Sequence, residues 1–240
     1  MNLDRNLTPH FKATKPVAFF FGGSARVILA ALLVFCLATG VLAGEWRVTV
    51  SAVLDGDTLV LEGGERLRLR GIDAPEVSHQ GRAGQHYGRE SAKRLAALVS
   101  GSTLMLDRDE LDTDRYGRLV GVARRSDGRV VNLLMIEHGA AFVYPHPSDK
   151  DQGLARRLLV AQISAMSRGA GFWPHVLGLP GAGDGFVGTR NSRRFHVLSC
   201  RQGRKISPAN RVFFSSLREA FAAGYAPARE CTPWPVDTGR

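Results

Sequence analysis

The 240-residue chain is 44% hydrophobic and 22% charged, which allows a buried core and excludes a chain that is disordered throughout. Its three cysteines exclude a disulfide-dense miniprotein and an array of zinc sites. The formal net charge of +10 indicates an acidic partner, either nucleic acid or a membrane surface, without choosing between them.

The excess of positive charge lies at the two ends of the chain. Residues 1–43 carry a net charge of +3, and residues 44–183 carry only +1. Residues 184–240 hold ten basic and four acidic residues, which leaves +6. The middle is balanced, as the body of an enzyme often is, so we expect the two basic ends to serve different purposes.

The first end has the pattern of a targeting segment. Residues 27–43 are uncharged, follow Arg26 and end in the small-residue pattern Val-Leu-Ala before Gly44. Seventeen residues are short of the roughly 20 that span a bilayer. We therefore expect a cleaved export signal and a mature chain in the periplasm or outside the cell. The alternative is an uncleaved anchor facing outside, and only then would a membrane be a partner.

The next part of the chain alternates apolar and polar residues in short runs. These runs predict strands, whereas longer runs with apolar residues on one face predict helices. The predicted strands cover residues 46–54, 59–61, 67–70, 103–106 and 119–123, and the predicted helices 88–99, 131–138 and about 150–169. Gly71 interrupts the alternation, which is typical of a β-bulge that curls a sheet. Five short strands with helices predict a β-rich α+β fold around a small barrel.

The second end is separated by a tract in which half of the residues are glycine or proline. This tract, residues 174–185, predicts a linker. Ser216 and Glu219 have the spacing of a capping box that opens a short helix. The predicted organisation is a targeting segment 1–43, a barrel domain 44–173, the linker, and a small basic α+β module 186–240.

Three short motifs carry the candidate chemistry: Asp-Gly-Asp-Thr at 55–58, Arg-Leu-Arg-Gly-Ile-Asp-Ala-Pro-Glu at 68–76, and Asp-Arg-Tyr-Gly-Arg at 114–118. A short hairpin would bring Asp57 and Asp73 to one rim of the barrel. Two facing carboxylates repel each other unless a cation lies between them. Oxygen ligands suit Ca²⁺, which we prefer over Mg²⁺ as the expected ion.

The remaining charged residues of these motifs complete a hydrolytic site. Pro75 aims Glu76, and Arg68 and Arg118 are fork-shaped donors that suit phosphate oxygens. A metal ion would polarise a phosphoryl oxygen, the arginines would stabilise added negative charge, and the carboxylate would position or deprotonate a water. The set therefore predicts phosphodiester hydrolysis.

Residues 46–173, with these motifs in this order, resemble the staphylococcal nuclease (thermonuclease) family. The resemblance implies an OB-fold barrel of five strands with three helices. Where the family has threonine after the second aspartate, this chain has alanine, but the family uses only the backbone carbonyl there. The resemblance assigns the calcium ligands Asp57, Asp73 and the carbonyl of Ala74, the catalytic residues Arg68, Glu76 and Arg118, and the nucleotide contacts Tyr116 and Tyr144.

The same resemblance implies a substrate and products. The expected partners are DNA and RNA, cleaved with little sequence preference to leave 3′-phosphate ends, and no obligate protein partner is expected. The alternative is a protein without catalytic activity, either an OB-fold module that only binds nucleic acid or a surface-interaction protein.

The basic tail resembles the Ada-type metal-binding module. His196 and Cys200 have the spacing of that module's first pair of zinc ligands, but the second pair is incomplete because Ala228 precedes Cys231 where a cysteine would be needed. Three alternatives stay open: a zinc site with three protein ligands, a Cys200–Cys231 disulfide suited to an exported chain, and free thiols. The basic residues of the tail either grip a phosphate backbone or form a solvated face.

Overall fold

The computed structural model describes residues 44–79, 83–144, 151–229, 231 and 234–237. All of them belong to one compact unit, Gly44–Arg240. The predicted targeting segment lies outside the described residues. Within the described part of the chain, no helix has both the length and the apolar character needed to cross a membrane.

Among the described residues, the first part of the molecule contains nine strands, and seven of them form one mixed sheet. The strands are, in chain order, β1 Glu45–Val53, β2 Thr58–Leu61, β3 Arg66–Leu69, β4 Ile72–Asp73, β5 Thr103–Asp107, β6 Asp112–Thr113, β7 Leu119–Gly121, β8 Arg124–Arg125 and β9 Phe142–Val143. The large sheet has the order β6-β7-β3-β2-β1-β5-β8, and β4 pairs separately with β9. The five predicted strands are β1, β2, β3, β5 and β7, while the others are too short to show alternation.

The bulge lies in a different strand from the predicted one. The pairing of β1 with β2 shifts register between Val50 and Ala52, so β1 carries the irregularity that bends the sheet. Gly71 instead has a φ of +76° in the turn that leads from β3 into β4. Its carbonyl accepts a hydrogen bond from the Tyr144 N–H at 2.9 Å, which fixes the end of β9 beside the turn.

Three helices follow the predicted pattern closely: α1 Gly88–Val99, α2 Val131–Glu137 and α3 Gln152–Arg168. Asp151 caps α3 because its side chain accepts from the Gly153 and Leu154 N–H groups. The buried face of α1 includes Leu95 and Val99, which pack into the same core as Leu67 of β3. The helices therefore close one side of the sheet and fix the loops between its strands.

The tail adds a second sheet. The helix α4 Trp173–Leu177 precedes it, and its elements are β10 Phe186–Thr189, β11 Arg194–Val197, α5 Arg201–Arg204, β12 Arg211–Phe214, α6 Leu217–Ala222 and β13 Ala226–Pro227. The strand order is β12-β10-β11-β13. Ser216 caps α6 by accepting from the Glu219 N–H, while the Glu219 carboxylate accepts from the Ser215 N–H rather than from that of Ser216. The tail is thus a small α+β layer.

This layer shares a core with the rest of the molecule. The ring of Phe221 in α6 lies 4.9 Å from that of Trp173 and 5.9 Å from that of Phe142 in β9, between centroids. The buried Gln162 of α3 accepts from the Val143 N–H and donates to the Phe221 carbonyl, both at 2.7 Å. The tail sheet is therefore fixed to the end of β9 instead of hanging from a free linker.

Candidate active site

The Asp-Gly-Asp-Thr motif forms the turn between β1 and β2. The Asp57 N–H donates to Asp55 Oδ1 at 2.9 Å, so the two carboxylates face the same region. A Cβ at Gly56 would overlap the Ser91 hydroxyl of α1 and lie 2.6 Å from the Ala74 Cβ. Only glycine lets this turn lie so close to α1 and to the segment after β4.

Asp57 is buried and fully engaged by its surroundings. Its carboxylate accepts from the Ala74 N–H at 2.9 Å and from the Thr58 hydroxyl at 2.8 Å. Arg68 Nη1 lies 2.5 Å from Asp57 Oδ1, as an ion pair. Burial alone would raise the pKa of Asp57, but the charge of Arg68 and the hydroxyl of Thr58 outweigh it and lower that pKa.

One guanidinium joins the two aspartates that the sequence placed at one rim. Arg68 lies on β3, and its Nη2 donates to Asp73 Oδ1 of β4 at 2.7 Å. Burial, only partly offset by Arg68 and reinforced by the charge of Asp57, raises the pKa of Asp73 to about 7. Arg68 thus neutralises only part of the negative charge gathered here.

Asp55 belongs to the same cluster, although the sequence motifs assigned it no role in binding or catalysis. Burial and then the charge of Asp57 raise its pKa to about 7, and Glu76 adds to the effect. The sequence signal that could have identified Asp55 is its position two residues before Asp57, because residues at the two ends of a tight turn lie close together.

Glu76 lies at the edge of this cluster. Its N–H donates to the Gln85 side chain at 2.9 Å, and its carbonyl accepts from the Gln85 N–H at 2.8 Å. A Cβ at Gly88, the first residue of α1, would overlap the Glu76 carbonyl. Its backbone is therefore tightly held, while its side chain remains 56% exposed. Such a carboxylate can reach a water or a substrate.

Arg118 binds a carboxylate outside the acidic cluster. Its Nε donates to Asp114 Oδ2 at 2.8 Å, and its guanidinium carbon lies 5.5 Å from the centroid of the Tyr116 ring. Among the described residues, no ion pair joins Arg118 to Asp57, Asp73 or Glu76. The turn between β6 and β7 therefore holds Arg118 and the exposed Tyr116 together, with Arg118 bound to Asp114.

Tyr144 lies at the site between two arginines. The guanidinium carbon of Arg68 is 5.6 Å from its ring centroid, and that of Arg194 is 3.3 Å away. Arg194 begins β11 of the tail, and sequence reasoning missed it. No local signal distinguishes it from the other basic residues of the tail, since only the packing of the second sheet brings it here.

The residues fit a hard divalent cation by their chemistry. The donors are carboxylate oxygens, which Ca²⁺ and Mg²⁺ prefer. Burial and mutual repulsion keep the pKa values of Asp55 and Asp73 near 7, and a divalent cation would relieve that repulsion. In the described part of the chain, however, no group of three or more acidic, histidine or cysteine side chains is arranged so that it could hold a metal ion. Arg68 is the positive charge between Asp57 and Asp73 in this structure.

In the tail, Cys200 and Cys231 form a disulfide with their Cα atoms 5.7 Å apart. His196 Nδ1 lies 3.5 Å from the Cys200 sulfur. A sulfur in a disulfide is not a thiolate, which is the form that binds zinc. The structure therefore has the disulfide arrangement and does not form the three-ligand zinc site.

Residues 66–175 match the family model described as "Staphylococcal nuclease homologue". The succinoglycan biosynthesis protein ExoI of Rhizobium meliloti (strain 1021) is 37% identical over 156 residues, which are 62% of this chain and 76% of that protein. An uncharacterized endonuclease of Escherichia coli O157:H7 is 39% identical over 116 residues, 47% of this chain and 71% of the other. A thermonuclease of Staphylococcus intermedius is 29% identical over 129 residues, 52% and 74%. None of these similarities supports an Ada-type module in the tail.

Proposed function

Because the chain belongs to the family of staphylococcal nuclease homologues, we propose that it is a calcium-dependent nuclease that hydrolyses DNA and RNA with little sequence preference. Relatives named endonuclease and thermonuclease support the nuclease activity itself. The observation that carries the proposal is the convergence of Asp57 and Asp73 on Arg68, with the exposed Glu76 three residues further along.

Asp57, Asp73 and the backbone carbonyl of Ala74 would hold the calcium ion, with Asp55 beside them. When bound, the ion would supply a positive charge that polarises a phosphoryl oxygen. The Ala74 N–H already holds Asp57, but Arg68 binds both carboxylates in this structure and has to turn from them towards the phosphate when calcium binds.

The side chains around the aspartates then act on the substrate. Glu76 positions or deprotonates the attacking water, for which its exposure suits it. Arg68 donates to a phosphate oxygen and stabilises the charge that develops there. Arg118 has to turn from Asp114 towards the phosphate, and Tyr116 and Tyr144 flank the nucleotide. We infer 3′-phosphate products from the family resemblance.

We also infer that the protein is exported. Residues 27–43 have the composition of an export signal. The Cys200–Cys231 disulfide suits an oxidising compartment such as the periplasm or the extracellular space.

Digestion of plasmid DNA and of RNA by the purified protein tests the activity. With calcium we expect cleavage of both, and with a chelator none. Glu76→Gln should lower the rate by several orders of magnitude, because it removes the base and keeps the shape. The matched control Glu65→Gln, in the exposed turn between β2 and β3, should cleave at the rate of the unaltered protein.

Two outcomes would contradict the proposal. Salt-sensitive binding without product in calcium or magnesium would support the binding module instead. Normal turnover by the Glu76→Gln protein would remove Glu76 from the mechanism.

A further inference from the structure

The tail places a second arginine, Arg194, beside Arg68 at the site. Arg194 begins β11, where it pairs with Ala226 of β13. Its guanidinium extends from the tail sheet onto Tyr144, 3.3 Å from the ring centroid. Arg68 lies over the same ring at 5.6 Å while it binds Asp57 and Asp73. Arg194 and Arg68, which binds the acidic cluster, therefore both contact the ring of Tyr144.

The charges of Arg194 and the cluster interact. Burial, reinforced by the positive charges of Arg68 and Arg229, lowers the pKa of Arg194 to about 10, although Asp73 opposes the shift. Arg194 in turn lowers the pKa of Asp73, against the larger effect of burial. Arg194 is therefore close to the catalytic carboxylates and still positively charged at neutral pH.

Arg194 has unused capacity to donate hydrogen bonds. Its Nη1 is buried and has no hydrogen-bond partner among the described residues. No direct ion pair joins Arg194 to a carboxylate in that part of the chain either. A buried N–H without a partner is costly, so it needs an explanation, and an arriving anion supplies one. A guanidinium fork suits phosphate oxygens in particular.

A second arginine of the tail lies near Glu76. Arg229 Nη2 is 3.9 Å from Glu76 Oε1, and the Arg229 side chain is 89% exposed. The tail thus places one half-buried and one exposed guanidinium near the groups that the proposed hydrolysis uses. The shared aromatic core and Gln162 hold the sheet that carries Arg194, so its position is set before substrate binds.

We propose that Arg194 binds a phosphate group of the nucleic acid next to the acidic cluster, so that the tail contributes a substrate-binding residue to the active site. This inference rests on the proposed nuclease function. It makes the tail part of the active site, in contrast to a general basic surface whose charges are interchangeable.

Binding of a short fluorescein-labelled single-stranded DNA to the full protein, followed by fluorescence polarisation in chelator, tests this without cleavage. Arg194→Gln keeps a polar stem against Tyr144 and removes the charge, so Kd should rise about tenfold. Arg194→Lys keeps the charge without the fork and should bind with an intermediate Kd. The matched control Arg201→Gln, in the exposed helix α5 beyond the other end of β11, should change Kd by less than about twofold.

The salt dependence separates a direct phosphate contact from a structural effect. Loss of one phosphate contact to a single strand should lower the slope of log Kd against log salt by about 0.7 for Arg194→Gln, and Arg201→Gln should leave it unchanged. Melting temperatures of all the variants are measured first, and binding is then measured at a temperature at which every variant is folded.

Wild-type affinity and slope in Arg194→Gln would overturn the inference. Equal losses of DNA affinity in Arg194→Gln and Arg201→Gln would also overturn the inference, because they would indicate a general basic surface whose charges are interchangeable. A protein that binds in this pattern but does not cleave with calcium would overturn the nuclease function alone, because the chelator assay requires no turnover.

Discussion

Arg68 binds aspartates from two of the sequence motifs, Asp57 and Asp73, and so brings these motifs together at the site. It lies opposite Thr58 in the pairing of β2 with β3, which sets its guanidinium beside Asp57. The turn at Gly71 then brings β4 back so that Asp73 meets the same guanidinium. Buried carboxylates left without this counter-charge would be costly.

Arg68→Gln should therefore lower both stability and activity. Removal of one partner from a largely buried charge cluster is expected to cost about 3 kcal/mol in the free energy of unfolding, measured with urea. Adding Asp73→Asn should restore part of that stability, because it removes one of the carboxylates left unpaired, without restoring nuclease activity. Equal stability of the single variant and the unaltered protein would contradict the role of Arg68 in holding the cluster.

The residues of the proposed active site differ in how far the sequence could predict them. Asp57 and Asp73 follow from a hairpin and a turn, both of which have local signals. The pairing of Arg118 with Asp114 is a side-chain choice within one turn, which no spacing reveals. Arg194 lies in another sheet, so its place depends on tertiary packing that local patterns do not encode.

At the scale of elements, the helices α1, α2 and α3 were predictable because each has an apolar face of period 3.6. The β4–β9 pair was not, since two residues in each strand are too few to show alternation. The bulge was assigned to Gly71 because the pattern changes phase there, yet a turn changes the phase as well. The actual register shift near Val50 leaves no glycine to mark it.

The packing of α4 against the segment before α1 predicts a pH dependence of stability. The rings of His86 and His175 lie 4.0 Å apart between centroids. Burial and the charge of His175 lower the pKa of His86, against the weaker effects of Glu90 and Asp237. The folded protein thus binds a proton here less readily than the unfolded chain, whose histidine has a pKa near 6.5.

The contribution of His86 to stability is therefore fully present above pH 6.5 and is lost as the pH falls through that value towards the lowered pKa of the folded state. Protonation of Asp55 and Asp73, whose pKa values are raised to about 7, acts in the opposite direction between about pH 7.5 and about pH 5, so the effect of His86 is measured as a difference between proteins. As the pH falls through this range, the melting temperature of the unaltered protein should fall relative to that of His86→Gln. The control His79→Gln, at an exposed position, should keep the slope of the unaltered protein. An unchanged slope in His86→Gln would assign the effect to other groups.

At the scale of the whole molecule, the tail and the nuclease part fold as one body. Trp173 and Phe172 follow α3, while Phe195 and Phe221 belong to the tail, and all four are fully buried in one cluster. The glycine and proline content of the segment between them predicted a linker. Glycine and proline are also common in the compact turns that connect packed elements, so composition alone does not distinguish a linker from such turns. The residues of the proposed active site are thus held partly by side chains that lie outside the family match.

The disulfide provides a test of that unity. Cys200 and Cys231 are 31 positions apart, and the closed segment contains β12, α6 and β13. Closing a segment of this length lowers the entropy of the unfolded chain, which corresponds to about 3–4 kcal/mol of stability. The double variant Cys200→Ser, Cys231→Ser should lose about this much unfolding free energy in urea under oxidising conditions.

The same double variant should also bind single-stranded DNA more weakly in chelator. The disulfide closes the segment in which β13 supports Arg194 through its pairing with β11, and Arg229 lies two residues before Cys231. A reductant should weaken DNA binding by the unaltered protein to a similar extent and should leave DNA binding by the double variant unchanged. This comparison separates the effect of losing the disulfide from the effect of the substitutions themselves. If the variant lost stability but kept its affinity for DNA, the rest of the shared core would hold Arg194 in place without the disulfide.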